Sequence, residues 1–236
     1  AIGQFFTNWG AKLASTFLED DRYMMLVDGL RNTAIITLGA LCIGIVIGAL
    51  VAIIKYCGEG IRAMKPLCVL CDIYTTVIRG IPVVVLLLIF YFVIMKSASG
   101  VSGGITVGIV TFGINSGAYV SEIVRSGLMS VDPGQMEAGR SLGMNYFTTM
   151  RFIVIPQAIK NILPALGNEF ITLLKDTSLI TVIGGKELLY AAQGIMNRTY
   201  EAMFPLFGVA LIYLVLVMIF TWLLAKFERR LAQSDR

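Results

Sequence analysis

Among the charged residues that interrupt or border stretches otherwise fit for lipid are Arg79, Glu122, Lys175 and Asp176. A charged side chain at the centre of a bilayer costs about 2.5–3.5 kcal/mol on insertion scales, so each marks a candidate functional position. Thr177 and Ser178 follow Lys175-Asp176 directly and add two hydroxyls. Groups of this kind bind a small polar solute by ion pairing and hydrogen bonding. Asn115, Tyr119 and Glu122 fall at i, i+4 and i+7, which places them on one helix face. Asn168, Thr172 and Lys175 repeat that spacing, beside a second line of Glu169, Thr172 and Asp176. Such stripes must face protein or a water-filled cavity. The alternative reading is that Lys175–Asp176 and Glu122–Arg125 neutralise each other or hold an interface together. Arg79-Gly80-Ile81-Pro82 breaks an apolar run, because Pro82 lacks a donor and frees the carbonyl of Ile78. Arg79 then reads as a gate or a carboxylate attractor in a broken helix, or the break only shapes packing.

Several chemistries are excluded. The chain has no histidine, no paired catalytic acid motif and no Ser or Cys with an adjacent base, so no catalytic residue is assigned. Cys68-x-x-Cys71 has no second pair and no His partner, and Cys42 and Cys57 do not supply the spacing zinc requires. The cysteines read as small apolar fillers and no metal site is expected. No GxxxxGK[ST] loop occurs, so the chain cannot itself cradle the phosphates of ATP.

The elements that must position these residues follow from composition. Of the 236 residues, 57% are hydrophobic and 14% charged. That balance predicts an all-α membrane protein, since a bilayer core of about 30 Å needs about 20 apolar residues per helix. Five transmembrane helices are predicted: Thr33 to Ile54, Pro66 to Met95, Ser97 to Ser121, Ala165 to Gly185 and Ala202 to Ala225. The fourth carries Glu169, Lys175 and Asp176 and is required to return the chain across the membrane. Lys55, Arg62, Lys65, Arg125, Arg140, Arg151, Lys160, Lys226, Arg229, Arg230 and Arg236 fall on one side, against fewer and partly offset cations on the other, which makes the first side cytoplasmic. The N-terminus is then outside and the C-terminus in the cytoplasm. The net charge of +4 is read by position in this way, not as a nucleic-acid footprint. Gly44-x-x-x-Gly48, Gly104-x-x-x-Gly108 and Gly113-x-x-x-Gly117 predict close helix packing.

Residues 1–25 form an N-terminal segment in which Ile2, Phe5, Phe6, Trp9, Leu13 and Phe17 recur at helical spacing. This predicts a short amphipathic helix in the outer interface, or one packed on the membrane helices. No basic n-region with a short apolar core precedes the first span, so no secretory signal is expected. Residues 26–230 form the membrane domain, and 231–236 a cytoplasmic tail. An inverted repeat fits poorly with five spans.

Between spans, residues 131–165 are polar and punctuated. Asp132-Pro133-Gly134-Gln135 has the form of a helix start, with Asp as N-cap, Pro at the first position and Gln reaching back. Gly143 suits the left-handed residue that closes such a helix. Asn145 caps a second helix with Phe147, Met150 and Val154 on its apolar face; Pro156 ends it and Pro164 opens the next span. A fixed helix pair in the cytoplasm is expected.

This segment carries a resemblance. Glu137-Ala138-Gly139, Gly143 and Ile155-Pro156 resemble the EAA loop of permease subunits of ABC importers. The blocks "GLRNTAIITLGA" (29–40), "YTTVIRGIPVVVLLLIFYF" (74–92), "GAYVSEIVRSGLMSVDPGQMEAGRSLGM" (117–144) and "VIPQAIKNILPALGNEFITLLKDTSLI" (154–180) are similar to its polar amino-acid branch. Two departures are Gly139 for the usual Ala, expected to loosen the helix by about 1 kcal/mol, and Ile81 for the usual Thr, which removes a hydroxyl near any substrate. The resemblance implies a permease that moves a polar amino acid into the cytoplasm across the bacterial inner membrane. It implies no cofactor in this chain, with ATP and Mg on two partner ATPase subunits. It also implies a second permease, identical or homologous, and an external amino-acid-binding protein. Glu137, Ala138, Gly139, Leu142 and Gly143 would couple to the ATPase. Lys175 would meet the solute carboxylate, Asp176 or Glu122 its ammonium, with Thr177, Ser178 and Arg79 nearby. A channel or ion-coupled transporter for a small polar solute would explain the membrane charges equally well, but leaves the helix pair without a role.

Overall fold

The computed structural model describes residues 2–58, 60–96 and 103–233. Helices dominate and no strand occurs among the described residues. In order they are α1 (Ile2–Phe17), α2 (Tyr23–Gly58), α3 (Lys65–Gly80), α4 (Val83–Ile89), α5 (Gly103–Met129), α6 (Pro133–Ser141), α7 (Tyr146–Thr149), α8 (Ile155–Asp176), α9 (Leu188–Thr199) and α10 (Met203–Gln233). Three described stretches are long and apolar enough to cross a membrane: Glu19–Gly58, Gly103–Met129 and Met203–Leu231. A fourth candidate is the broken pair Arg62–Gly80 and Val83–Ile94. The segment expected to cross from Ala165 is the end of α8 followed by a 3-10 stretch, Thr177–Ile183. It does not meet the same measure of length and apolarity, because it carries the polar stripes.

The span expected from Ser97 begins outside the described residues, and its helix continues past Ser121 to Met129. Glu122 and Arg125 pair along α5, so the helix carries both charges without leaving either uncompensated. At the predicted break, α3 stops at Gly80 and Ile81 takes φ −99°, ψ 131°. That is the extended conformation a following proline imposes on its neighbour.

Pro156 does not end a helix. α7, a π turn over Met150–Val154 and α8 run on from one another from Tyr146 to Asp176. Pro156 is the second residue of α8, directly after the π turn. The wide turn before it gives the ring room. Pro164 lies inside α8 instead of opening it, and Asn168 Nδ2 donates to the Pro164 carbonyl at 3.2 Å.

The chain divides into two compact units. One comprises Ala40–Val83, Val110–Leu173 and Phe220–Arg236. In it α2 and α5 interlock through the predicted glycines. A Cβ on Gly48 would lie 2.6 Å from Val120 Cβ, and one on Gly113 2.7 Å from Ile43 Cβ. Tyr74 ties α3 to α5, its hydroxyl donating to the Ile114 carbonyl at 2.6 Å.

The other unit comprises Ala1–Gly39, Val84–Ile109 and Leu174–Ile219. Its core sets Leu188 and Ala192 of α9 against Val209 of α10, with Leu26, Leu30, Ile212 and Tyr213 around them. α1 is helical as expected; the side chains of Ile2, Phe5 and Phe6 lie outside those described. Trp9 packs edge-on to Phe204 at 5.4 Å, and Phe17 sits beneath Gly208, so α1 rests on α10 while Leu13 stays exposed.

Candidate functional site

In the first unit, three helices bring four charges together. Lys55, in the last turn of α2, lies 2.9 Å from Asp72 Oδ1 of α3 and 3.1 Å from Glu122 Oε1 of α5. Arg125, one turn after Glu122, donates from Nη2 at 3.1 Å and Nε at 3.3 Å to the other carboxylate oxygen. Sequence spacing predicts only the Glu122–Arg125 pair. Lys55 and Asp72 join it through tertiary packing, which periodicity does not register. Both oxygens of Glu122 therefore hold cations of the chain itself.

Beside this cluster a cavity of about 410 Å³ is lined by Arg79, Tyr119, Glu122, Asn161 and Glu169, among others. Its volume suits a small polar ligand. The helix break puts Arg79 at the end of α3, with its guanidinium 5.2 Å from the centroid of the Tyr119 ring. Cation–π contact of this kind holds a guanidinium without neutralising it. Glu169 Oε1 accepts a hydrogen bond from Ser116 Oγ at 2.8 Å. Asn161 Nδ2 donates to Ser130 Oγ at 2.7 Å. Cation and carboxylates thus share one cavity wall set. Glu169 belongs to it by position, although its sequence setting marks it only as one member of a polar stripe. Asn115 is buried and is not among the lining residues.

Lys175, Asp176, Thr177 and Ser178 fall in the other unit, where α8 gives way to the 3-10 stretch. Lys175 is exposed and makes no ion pair among the described residues; Asp176 is half-buried. The simple neutralisation of Lys175 by Asp176 is therefore not formed. Thr177 is fully buried and its hydroxyl donates to the Leu174 carbonyl at 2.8 Å. That position serves the turn and presents no hydroxyl to an open surface. Ser178 Oγ donates to the Lys175 carbonyl at 2.8 Å. On the exposed face of α8, Thr172 likewise donates to the Asn168 carbonyl at 3.1 Å.

The same unit contains a carboxylate that sequence reading does not single out. Glu187 is fully buried and caps α9. Its Oε1 accepts from Thr181 Oγ1 at 2.5 Å and Tyr190 N at 2.8 Å, its Oε2 from Leu189 N and Tyr213 Oη, both at 2.8 Å. The available signal was an acidic residue directly before an apolar helical run, "LLYAAQ".

The helix pair follows the predicted punctuation. Asp132 Oδ1 accepts from Gly134 N at 2.7 Å, and Asn145 Oδ1 from Thr148 N at 2.8 Å. Gly143 takes φ +83°; its N–H donates to the Arg140 carbonyl at 3.0 Å and that of Met144 to the Gly139 carbonyl at 3.1 Å, a Schellman closure. Gln135 departs from expectation. Its backbone N–H bonds the Asp132 carbonyl, while its side-chain oxygen accepts from Gln157 Nε2 at 3.3 Å. Gly139 is buried, and a Cβ there would lie 2.5 Å from Cγ2 of the fully buried Thr149. The glycine that weakens α6 locally is what lets α6 close onto the turn after α7. Glu137, Ala138, Leu142 and Gly143 are all exposed, Leu142 at 82% and Phe147 beyond it at 81%. Phe147 thus faces outward, and only Val154 of its expected apolar face is buried.

Comparison with known proteins identifies the family. Residues 44–233 match the family described as binding-protein-dependent transport system inner membrane component. A putative glutamine transport system permease protein of Rickettsia bellii is 36% identical over 218 residues, covering 90% of this chain and 95% of its own length. The arginine transport system permease protein of Bacillus subtilis is 37% identical over 210 residues, covering 89% and 94%. The crystal structure of an amino acid ABC transporter with histidines superposes with a TM-score of 0.81 at 42% identity, covering 91% of this chain and 98% of that one. An inward-facing methionine ABC transporter shares the fold, with a TM-score of 0.72 at 22% identity over 89% and 97%. The chain belongs to the family of inner membrane components of binding-protein-dependent transport systems.

Proposed function

We propose that this chain is the permease subunit of an importer that carries a polar amino acid into the cytoplasm, driven by ATP hydrolysis on a separate subunit. The observation that carries this reading is the cavity lined by Arg79, Glu122 and Glu169, where a guanidinium and carboxylates share one space. An α-amino acid presents one carboxylate and one ammonium. Arg79 meets the first and Glu169 the second, while Glu122 is held by Lys55 and Arg125 and sets the local potential. Lys175 and Asp176, with Ser178 beside them, form a second contact point for the same two solute charges. Tyr119 and Asn161 supply the polar remainder.

Energy enters through the helix pair. Two ATPase subunits, which bind ATP and Mg, dock on Glu137, Ala138, Leu142 and Gly143, and Gly139 keeps that surface rigid. A second permease subunit, identical or homologous, and an external binding protein complete the assembly. The chain crosses the inner membrane of a bacterial cell five times, with the end of α8 and Thr177–Ile183 as the fourth crossing. The Lys/Arg-rich turns lie in the cytoplasm.

Uptake into proteoliposomes tests the charge assignments. Arg79→Gln and Lys175→Ala are each expected to abolish uptake, while the ATPase still co-purifies with the permease. Unchanged uptake kinetics in either variant would return that residue to a packing role. Uptake that persists with a hydrolysis-dead ATPase would favour the channel reading.

A further inference from the structure

At the turn joining α2 to α3, Lys55, Arg62, Lys65 and Arg125 line a cavity of about 430 Å³ together with Cys68 and Asp72. It lies wholly within the first unit. Lys55 is engaged by Asp72 and Glu122, and Arg125 by Glu122. Arg62 and Lys65 make no ion pair among the described residues. Among the described residues four cations therefore face two carboxylates, and Glu122 is held at both of its oxygens. That balance of charge favours an anion.

The surroundings say what kind of anion. Ile61, on the cavity wall, is 49% exposed, and Val69 and Ile73, each next in sequence to a lining residue, are 47% and 53% exposed. A basic hollow bordered by exposed apolar side chains, at the end of a membrane helix, matches an amphiphile. Its charged group enters the hollow and its chains run along α3. Basic pockets between membrane helices on the cytoplasmic side recognise anionic head groups in this way.

We propose that this cavity binds the phosphate of an anionic membrane lipid, with Arg62 and Lys65 supplying the uncompensated charge and Lys55 and Arg125 the inner wall. A soluble phosphate shares the charge chemistry but makes no use of Ile61, Val69 and Ile73. The proposal rests on the cytoplasmic placement of this turn given above, but not on which solute is carried.

The test is native mass spectrometry of the permease–ATPase complex released from nanodiscs of phosphatidylglycerol and phosphatidylcholine. Retained phosphatidylglycerol is expected in the wild type, with affinity lowered about tenfold or more in the Arg62→Gln/Lys65→Gln double variant, as the loss of two surface cations implies. Both residues are exposed and make no ion pair among the described residues, so folding is expected to survive, and an unchanged melting curve checks this. Lys226→Gln, which removes a cation outside the cavity, is expected to retain lipid as the wild type does. If only the double variant fails to assemble, single Arg62→Gln and Lys65→Gln variants carry the same measurement. Equal phosphatidylglycerol retention in wild type and folded variants would overturn the site. Displacement of the lipid by millimolar inorganic phosphate or glycerol phosphate would overturn the lipid as occupant. Because binding alone is read, an error in the assigned solute leaves this test intact.

Discussion

Replacing Glu187 with alanine is expected to destabilise the protein by at least about 3 kcal/mol, since an unsatisfied buried donor costs about 1–3 kcal/mol and this change strands several. The carboxylate is fully buried and accepts from two hydroxyls and two backbone N–H groups. No cation pairs with it among the described residues, and those donors at the N-terminus of α9 satisfy its oxygens. Its removal would loosen three connections at once. Thr181 in the 3-10 stretch, Tyr213 on α10 and the first turn of α9 all converge on it. Glu187→Gln keeps one acceptor oxygen and is expected to fall between wild type and Glu187→Ala. Thermal melts of the purified protein in detergent check this. A Glu187→Ala melt superimposable on the wild type would mean that the cap is dispensable.

The second large effect concerns the exposed helix pair. Leu142→Asp and Glu137→Lys are each expected to strip the ATPase from the permease, lowering co-purification at least about tenfold if Leu142 is an anchor of the usual size. Large apolar side chains left exposed on one short helix pair mark a surface that another protein covers. Leu142 and Phe147 are both more than four-fifths exposed at 82% and 81%. Neither substitution touches the bonds that shape the pair, which run through Asp132, Gly143 and Asn145. The permease should therefore remain folded, with an unchanged melt. Full ATPase recovery and normal hydrolysis in both variants would place the docking surface elsewhere.

What could be read in advance was local. The caps at Asp132 and Asn145, the left-handed Gly143 and the break before Pro82 each depend on residues within a few positions of one another. Short-range chemistry decides them. Pro156 shows the limit of that approach: its cost depends on what precedes it, and the π turn at Met150–Val154 removes the conflict a regular helix would have met. The sites that sequence reading missed are long-range. Lys55 reaches Glu122 across 67 positions, and the Leu188 N–H reaches Thr33 Oγ1 across 155. Glu187 goes unmarked because nothing in its neighbourhood announces Tyr213. Thr177 illustrates the reverse case, a hydroxyl that looks available by spacing and is spent on the helix end. Gly139 combines both, since its local cost is legible and its contact with Thr149 is not.

The most direct measurement is ATP hydrolysis by this chain purified with its ATPase, reconstituted together with the binding protein and exposed to each amino acid in turn. One or two polar amino acids are expected to raise hydrolysis above the level seen without solute, and Arg79→Gln to remove the accompanying uptake. A flat response across all amino acids, or a permease that retains no ATPase, would contradict this expectation.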